Sequence, residues 1–324
     1  MIMHNPQRTA FVTGANGYIG NAIAKAFNRA GWKTYGLIRN EKDARNLALN
    51  EIHPVIGSPA NLTFLEQTDG VVFDVIISNT EDRNDMAGHL KHVNAMIEKI
   101  AGISQSAGVR PLVMFTSGCK DYGMMDKKHG DEGLAPHTES SPMNTPAPLL
   151  PRELYGTYLL KQKNPDYDAV VLRPTIVYGH SSSHYGPLFE LASRSDKTLR
   201  LVADPNAVMH SLHVDDCAKA YVMLAEYANR EKIVQQAYNI SNQQYETARQ
   251  IGEALARSYG LTLEFEAPTG EIDFATVHGL ANFWQWVGSD KIRKDIGWSE
   301  TKTTFIDGIE EYRLAYETHQ MKIS

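Results

Sequence analysis

The chain has 324 residues, 42% hydrophobic and 22% charged, an ordinary globular balance that excludes a chain disordered as a whole. Lys+Arg 32 against Asp+Glu 38 gives a net charge of −6, and the basic residues are scattered, which excludes a nucleic-acid partner. No apolar run is long enough to span a bilayer, the two cysteines, Cys119 and Cys217, cannot staple a framework, and MIMHNPQR lacks the apolar stretch of a secretory signal; the expectation is a cytoplasmic protein with no membrane partner.

Thr9 to Thr13 (TAFVT) is a short apolar run that breaks into glycines, and from Tyr18 to Ala30 the residues Ile19, Ile23, Ala26 and Phe27 recur on one helical face. This spacing predicts strand, tight turn, helix. Further strands are predicted at Thr34 to Ile38, Pro54 to Ile56, Val71 to Ser78, Leu112 to Thr116 and Ala169 to Leu172, with a long helix over Asp85 to Ala107. Strands separated by helices need crossover connections, so the sheet is parallel and covered on both faces. Between Lys120 and Arg152 the periodicity disappears and prolines crowd the stretch from Pro136 to Pro151, which predicts a long functional loop. Beyond Arg173 strands thin out, with Tyr238 to Ile240 as one more strand and Thr301 to Tyr316 as a final amphipathic helix. The predicted fold class is α/β: a Rossmann-type doubly wound parallel sheet in residues 1–175, to which segments near 212–242 return, and a smaller C-terminal substrate lobe in 176–324.

Thr13 to Gly20 (TGANGYIG) sets Gly14, Gly17 and Gly20 directly after the first strand and at the opening of a helix. There a turn needs a permissive backbone, a bare approach to pyrophosphate and close helix–strand packing. The helix N-terminus adds free N–H groups for the phosphates, and Asn16, Tyr18 and Ile19 share the cofactor-binding turn. A NAD site ends its second strand in an acid that binds the ribose hydroxyls, whereas here that strand reads TYGLIRN and ends in Arg39. A guanidinium pairs with a 2′-phosphate through two parallel hydrogen bonds, so NADP is the expected cofactor, with Lys42 or Arg45 assisting; a solvated arginine is the alternative. Asn61 either faces an adenine edge or caps the helix that begins near Leu62.

These motifs resemble the extended (atypical) short-chain dehydrogenase/reductase family, its epimerase/dehydratase-like members in particular, and the likeness covers nearly the whole chain. Phe115 to Gly123 (FTSGCKDYG) is similar to the family's fifth strand and active-site turn. Leu172 to Gly179 (LRPTIVYG) is similar to its sixth strand and nicotinamide loop, which sets Pro174 against the cofactor. His213 to Ala218 (HVDDCA), Tyr238 to Ser241 (YNIS) and Ser289 to Trp298 (SDKIRKDIGW) resemble later family elements. The resemblance implies a Ser or Thr hydroxyl that orients the substrate, a Tyr that exchanges its proton, and a Lys four residues later that lowers the Tyr pKa. The chain departs from this set. Matching the Phe and the Tyr-Gly of the turn places Gly118 at the hydroxyl position, with Ser117 one residue earlier. In PRELYGTYLLKQK, Tyr155 is followed four residues later by Leu159 and Tyr158 precedes Lys161 by three; alternatively, Arg152 takes the lysine position and Pro148 the tyrosine position. Ser117 as carbonyl donor and Tyr155 as acid are the expected substitutes, with core or substrate packing the other reading of Tyr155.

Tyr122 and Tyr178 end strands where ligands bind in open α/β sheets. Cys119 beside them reads as an inert thiol and Cys217 as core. His180 and His184 are either acid–base groups or solvated loop residues, and His210 and His213 share a strand face without the partners of a metal site, so no metal is expected. Phe283, Trp284 and Trp286 fall in a segment read as helical, where they either wall a substrate cavity or pack the lobe. The function expected is an NADP-dependent oxidoreductase, carbonyl reductase- or dehydrogenase-like, on a small, neutral, partly hydrophobic metabolite. A non-redox isomerase, cyclase or lyase, and a non-catalytic NADP(H)-binding protein, are the alternatives on the same fold. The oligomeric state is left open.

Overall fold

The computed structural model describes residues 7–181, 184–269, 279 and 281–321. Strand β1 (Thr9–Thr13) runs into helix α1 (Tyr18–Arg29), then β2 (Lys33–Ile38), the short α2 (Ala44–Ala48), β3 (His53–Ile56) and β4 (Val75–Ser78). Helix α3 (Met86–Ser106), β5 (Leu112–Thr116), α4 (Leu150–Lys161), β6 (Asp168–Pro174), β7 (Ile176–Tyr178) and α5 (Gly186–Arg194) follow, then β8 (Thr198–Val202), β9 (Val208–Met209), β10 (Ser211–His213), α6 (Val214–Glu226), α7 (Arg230–Ile233) and β11 (Gln236–Ile240). The chain continues through β12 (Glu246–Thr247), α8 (Ala248–Tyr259), β13 (Thr262–Glu266) and two last helices at Asp290–Ile296 and Ile309–Met321.

Seven strands form one sheet in the order β11-β6-β5-β4-β1-β2-β3, every pairing parallel. Successive side chains of a strand point to opposite faces, and β1 shows the result: Ala10 and Val12 join the core under α1 and α6, while Phe11 joins the core under α3. Both faces are therefore covered, as a parallel sheet requires. The order reverses between β1 and β4, the topological switch at which the carboxyl ends of the strands open a crevice. Past β6 the chain builds a smaller lobe in which α5, α8, the β8–β13 pair and Ile309–Met321 close a third core around Phe189, Leu255 and Phe305.

Three expected elements differ, each for a local reason. The fourth strand starts at Val75 rather than Val71, because Phe73 N–H donates to Ser104 Oγ at 3.0 Å and the Asp74 carboxylate accepts Thr9 N–H at 2.8 Å. The final helix starts at Ile309 rather than Thr301, because the N–H groups of Thr301 and Lys302 donate to the Asp216 carboxylate at 3.0 and 2.9 Å. Residues 283–287 are extended rather than helical: Gln285 bridges to Met209 and Val287 to His137. Among the described residues, no helix is long and apolar enough to cross a membrane.

Candidate active site

A cleft of about 300 Å³ lies at the carboxyl ends of the central strands, between the glycine turn and the smaller lobe. Gly14, Gly17, Tyr18, Ile19 and Gly20 line one wall. Gly14 holds φ +63°, a left-handed conformation that glycine adopts without strain, and Gly17 N–H donates to its carbonyl at 2.8 Å. A Cβ at Gly20 would stand 2.2 Å from the Gly14 oxygen, so only glycine lets α1 start this close to β1. No side chain caps α1, which leaves its N-terminus to a ligand in the cleft. Added bulk would fill this cradle, and a dinucleotide pyrophosphate fits it.

The remaining cofactor residues are spread around this turn. Tyr18 donates from its hydroxyl to the Gly179 carbonyl at 2.5 Å, tying the turn to the loop after β7. Asn16 donates to Asp43 Oδ2 at 2.7 Å; this acid beside the turn was not singled out in the sequence. Arg39 is exposed just past β2. Pro174 ends β6 and lines the cleft. Asn61 does not line the cleft and uses its side-chain oxygen to accept Thr63 N–H at 3.1 Å: of its two readings, capping is the one observed.

Around Gly118, which the resemblance sets at the family's hydroxyl position, and Arg152, which one of the two alignments sets at its lysine position, this chain builds a charged knot. Arg152, in the first turn of α4, is buried and lines the cleft; it donates from Nη1 to Glu81 at 2.9 Å and from Nη2 to Asp121 at 2.8 Å. A Cβ at Gly118 would lie 3.1 Å from Arg152 Nη2. Gly118 and Arg152 therefore face each other, the arrangement expected if Arg152 stands at the lysine position and Pro148, one turn earlier, at the tyrosine position. Asp121 is fully buried, accepts Ser117 Oγ–H, and has Arg173 Nε at 3.7 Å. Ser117 lines the cleft with its hydroxyl proton turned to that carboxylate.

Tyr155 is not in the cleft. Its ring packs edge-on against Phe115 at 5.0 Å, its hydroxyl donates to Asn94 at 3.2 Å, and it lines a separate groove between α3 and α4 with Leu90 and Tyr158. Burial pushes its hydroxyl well above the ordinary tyrosine range. Tyr155 is turned about 60° around α4 from Arg152, which is enough to set it against Phe115 and Asn94 on the side that packs on α3. Tyr122 and Tyr178 are also structural, donating to Asn239 Oδ1 and the Thr303 carbonyl at 2.7 Å each. Cys119 lines the cleft, but burial first and Asp121 next push its thiol well up, so it stays protonated. Cys217 lies in the core under α6.

Lys120, which the sequence reading passed over inside FTSGCKDYG, lines the cleft with its ammonium 5.3 Å from the Phe283 ring centre. Desolvation, then the Arg152 and Arg83 charges, bring it down to about 8. Phe283 and Gln285 reach the cleft, whereas Trp284 packs under Lys128 and Trp286 against Tyr245. His184 lines the cleft; desolvation, then Lys120 and Arg83, lower it to about 4. His210 lines it too, with both nitrogens engaged: Nε2 with the Asn242 carbonyl at 2.9 Å and Nδ1 with Val287 N–H at 3.1 Å. His180, His213 and Asp215 bring ligand-type atoms within 4.8 Å of one another. His213 Nδ1 there accepts Asp215 N–H as the cap of α6, and Lys302 already sets a cation 3.5 Å from the Asp215 carboxylate. Capping and ion pairing account for this cluster.

Residues 10–241 match the NAD dependent epimerase/dehydratase family. The chain belongs to that family. It is 25% identical over 267 residues to methionine adenosyltransferase 2 subunit beta of Xenopus laevis, covering 79% of this chain and 73% of that one. Its fold is similar to that of dTDP-glucose 4,6-dehydratase from Bacillus anthracis, solved in complex with NAD, at 17% identity and a TM-score of 0.74 over 97% of this chain and 98% of the other. It is likewise similar to a short-chain dehydrogenase/reductase superfamily protein from Agrobacterium tumefaciens with bound NAD, at 17% identity and a TM-score of 0.73 over 98% and 99%. The extended short-chain dehydrogenase/reductase fold expected from the motifs is thus the fold observed.

Proposed function

We propose that this epimerase/dehydratase-family protein binds NADP along the cleft and acts as an oxidoreductase on a small, partly hydrophobic carbonyl or hydroxyl compound. The observation that carries the reading is the continuity of the cleft: the bare glycine turn and the Ser117, Lys120 and Phe283 wall line one cavity. The N–H groups at the head of α1 would hold the pyrophosphate, Arg39 the 2′-phosphate, and Pro174 one side of the nicotinamide. The nicotinamide, when bound, supplies or accepts hydride. With Tyr155 outside the cleft and the Ser117 proton given to Asp121, Lys120 is the group that polarises the substrate oxygen and exchanges its proton. At about 8 it is protonated near neutral pH yet ready to donate, which suits a general acid. Phe283 keeps the ammonium in place beneath an apolar substrate body.

A non-catalytic NADP(H)-binding role is the second reading. Arg152 favours it, since a guanidinium held by two carboxylates cannot serve as the family's titrating lysine. One series of measurements separates the two. NADPH and NADH are titrated calorimetrically into the protein and into Arg39→Asp, and NADPH consumption is then followed over a panel of aldehydes and ketones with Lys120→Met as the control. The proposal expects NADPH to bind more tightly than NADH, Arg39→Asp to weaken NADPH by on the order of 2–4 kcal/mol at low salt, and Lys120→Met to reduce turnover by about 10²–10⁴-fold. Tighter NADH binding overturns the cofactor assignment. Tight NADPH binding without consumption across the panel moves the conclusion to the second reading.

A further inference from the structure

Phe283 and Gln285 lie two residues apart on the extended stretch that closes the cleft from the smaller lobe, and alternation along such a stretch turns both side chains the same way, into the cleft. Gln285 is fixed at both ends. Its backbone N–H donates to the Val208 carbonyl at 3.1 Å, and its side-chain Nε2 donates to the Cys119 and Gly123 carbonyls at 2.9 and 2.5 Å. Carbonyl oxygens only accept, so the amide stands in one orientation, with both N–H groups spent on the turn that carries Lys120. What remains is Oε1. The residue is only 9% exposed, yet Oε1 is not among the enclosed polar atoms and accepts from no donor among the described residues, so it is the open tip of an otherwise buried side chain. Donors that share this wall are committed elsewhere: Cys119 Sγ to the Arg173 carbonyl at 2.9 Å, Ser117 Oγ to Asp121, and His210 through both ring nitrogens. A ligand that brings a donor to Oε1 gains a hydrogen bond, and one that covers it without a donor leaves it unpaired.

We infer that Gln285 Oε1 is a specificity-determining acceptor, so that the substrate carries, besides its reacting carbonyl or hydroxyl, a second group with a hydrogen to donate: a hydroxyl or an amide N–H. The inference deepens the proposed function and rests on it only in taking the cleft as the substrate site. Lys120 stands beside the Phe283 ring, and two residues of extended chain cover about 6.6 Å, so a body about one ring across can reach both Lys120 and Gln285. Such a compound stays neutral and partly hydrophobic, resting on Phe283 between the two polar contacts. Because the Gln285 amide is tied to the same turn as Lys120, the acceptor and the proton-exchanging group are held in one frame, and a substrate that satisfies the first is positioned for the second.

Matched ligands test it. 4-(Hydroxymethyl)benzaldehyde, its methyl ether and 4-ethylbenzaldehyde, the 3-substituted isomers of each, and 4-formylbenzamide are titrated calorimetrically into the protein without dinucleotide, and into Gln285→Lys and Gln285→Met. Lysine still donates to the Cys119 and Gly123 carbonyls but accepts nothing, whereas methionine does neither. In the parent, the alcohol of at least one isomer, or the amide, should bind about threefold to tenfold more tightly than the ether and the ethyl compound, the size of one hydrogen bond. In Gln285→Lys the alcohol and the ether should bind alike, since both accept from an ammonium. The amide against the alcohol tells an N–H donor from a hydroxyl. Donors that bind no better than the ether in the parent, or a donor preference that survives in Gln285→Lys, overturn the inference; if Gln285→Lys does not fold, Gln285→Met takes its place in the comparison. NADPH binding and consumption are measured separately. Their failure beside an intact, Gln285-dependent donor preference overturns the proposed function and leaves the acceptor standing, and turnover of all the aldehydes without that preference overturns the acceptor alone.

Discussion

Removal of the Arg152 guanidinium, as in Arg152→Met, tests whether the knot beneath the cleft is a structural unit. Methionine keeps the unbranched stem and deletes two ion pairs. The Glu81 side chain is 34% exposed, and water takes over its carboxylate at little cost. Asp121 is different, because its side chain is 0% exposed and among the described residues it keeps only Ser117 Oγ–H and the distant Arg173 Nε. Breaking a buried pair from one side costs about 3–5 kcal/mol, and the surviving partners place this case near about 3. With an unfolding entropy of about 2.1 cal/mol/K per residue over 324 residues, that lowers Tm by about 4 °C. The assay is thermal unfolding of Arg152→Met, Asp121→Asn and the double variant, completed as a cycle. A coupling energy of about 1–3 kcal/mol is expected, because the double variant no longer strands a buried charge. An unchanged Tm in Arg152→Met, or strict additivity in the double variant, would refute the view that these side chains act as one unit.

Gly17→Val should abolish NADPH binding while circular dichroism shows the helices intact, since the branched side chain fills the mouth of the glycine turn; undiminished affinity in a folded variant would make the glycine merely structural. Tyr155→Phe should leave NADPH consumption unchanged and cost about 1 kcal/mol or less in stability, the price of its single hydrogen bond to Asn94; a large fall in turnover would return this tyrosine to the active site. Burial holds the Glu246 carboxyl at about 7 against an ordinary 4.5, so its contribution to stability is full below 4.5 and is lost as pH rises through 7. Glu246→Gln escapes that loss, and its stability relative to the parent should rise between pH 5 and pH 8 by up to about 3 kcal/mol; a pH-independent difference in denaturation midpoint would refute the assignment.

The parts of the fold that were legible are those where one short stretch fixes its own geometry. TAFVT followed by TGANGYIG carries strand period, turn and helix face in twelve residues of sequence, and the observed β1 and α1 match it to within a residue. The strand Leu112–Thr116 is likewise observed as expected. Side-chain direction on α4 was not legible. The helix emerges from a proline-rich loop of no periodicity, and each residue of phase turns a side chain by about 100°, which decides whether Arg152 or Tyr155 meets the cleft. Elements whose ends are set from far away also escaped: Asp216 takes the N–H groups of Thr301 and Lys302, and no pattern near Thr301 announces that.

The two departures on α4 and in the loop before it make sense together. A lysine four residues after a tyrosine is useful because its charge lowers the phenol's pKa, so in the alignment that puts Pro148 at the tyrosine position there is no phenol to tune. At that point the requirement on the next position changes from a titrating charge to a permanent one, and arginine meets it with a fork that engages Glu81 and Asp121 at once. Gly118 opposite follows from the same change, since a Cβ there would already press on Arg152 at 3.1 Å and a serine hydroxyl would need still more room. In that alignment, three positions that look like separate losses of a catalytic set read as one replacement by a fixed scaffold in which Arg152 is held by Glu81 and Asp121. In the proposed reaction, proton exchange then comes from an element other than α4, and Lys120, carried on the turn after β5 and pulled down to about 8 by burial, Arg152 and Arg83, is the side chain that the proposal assigns to it.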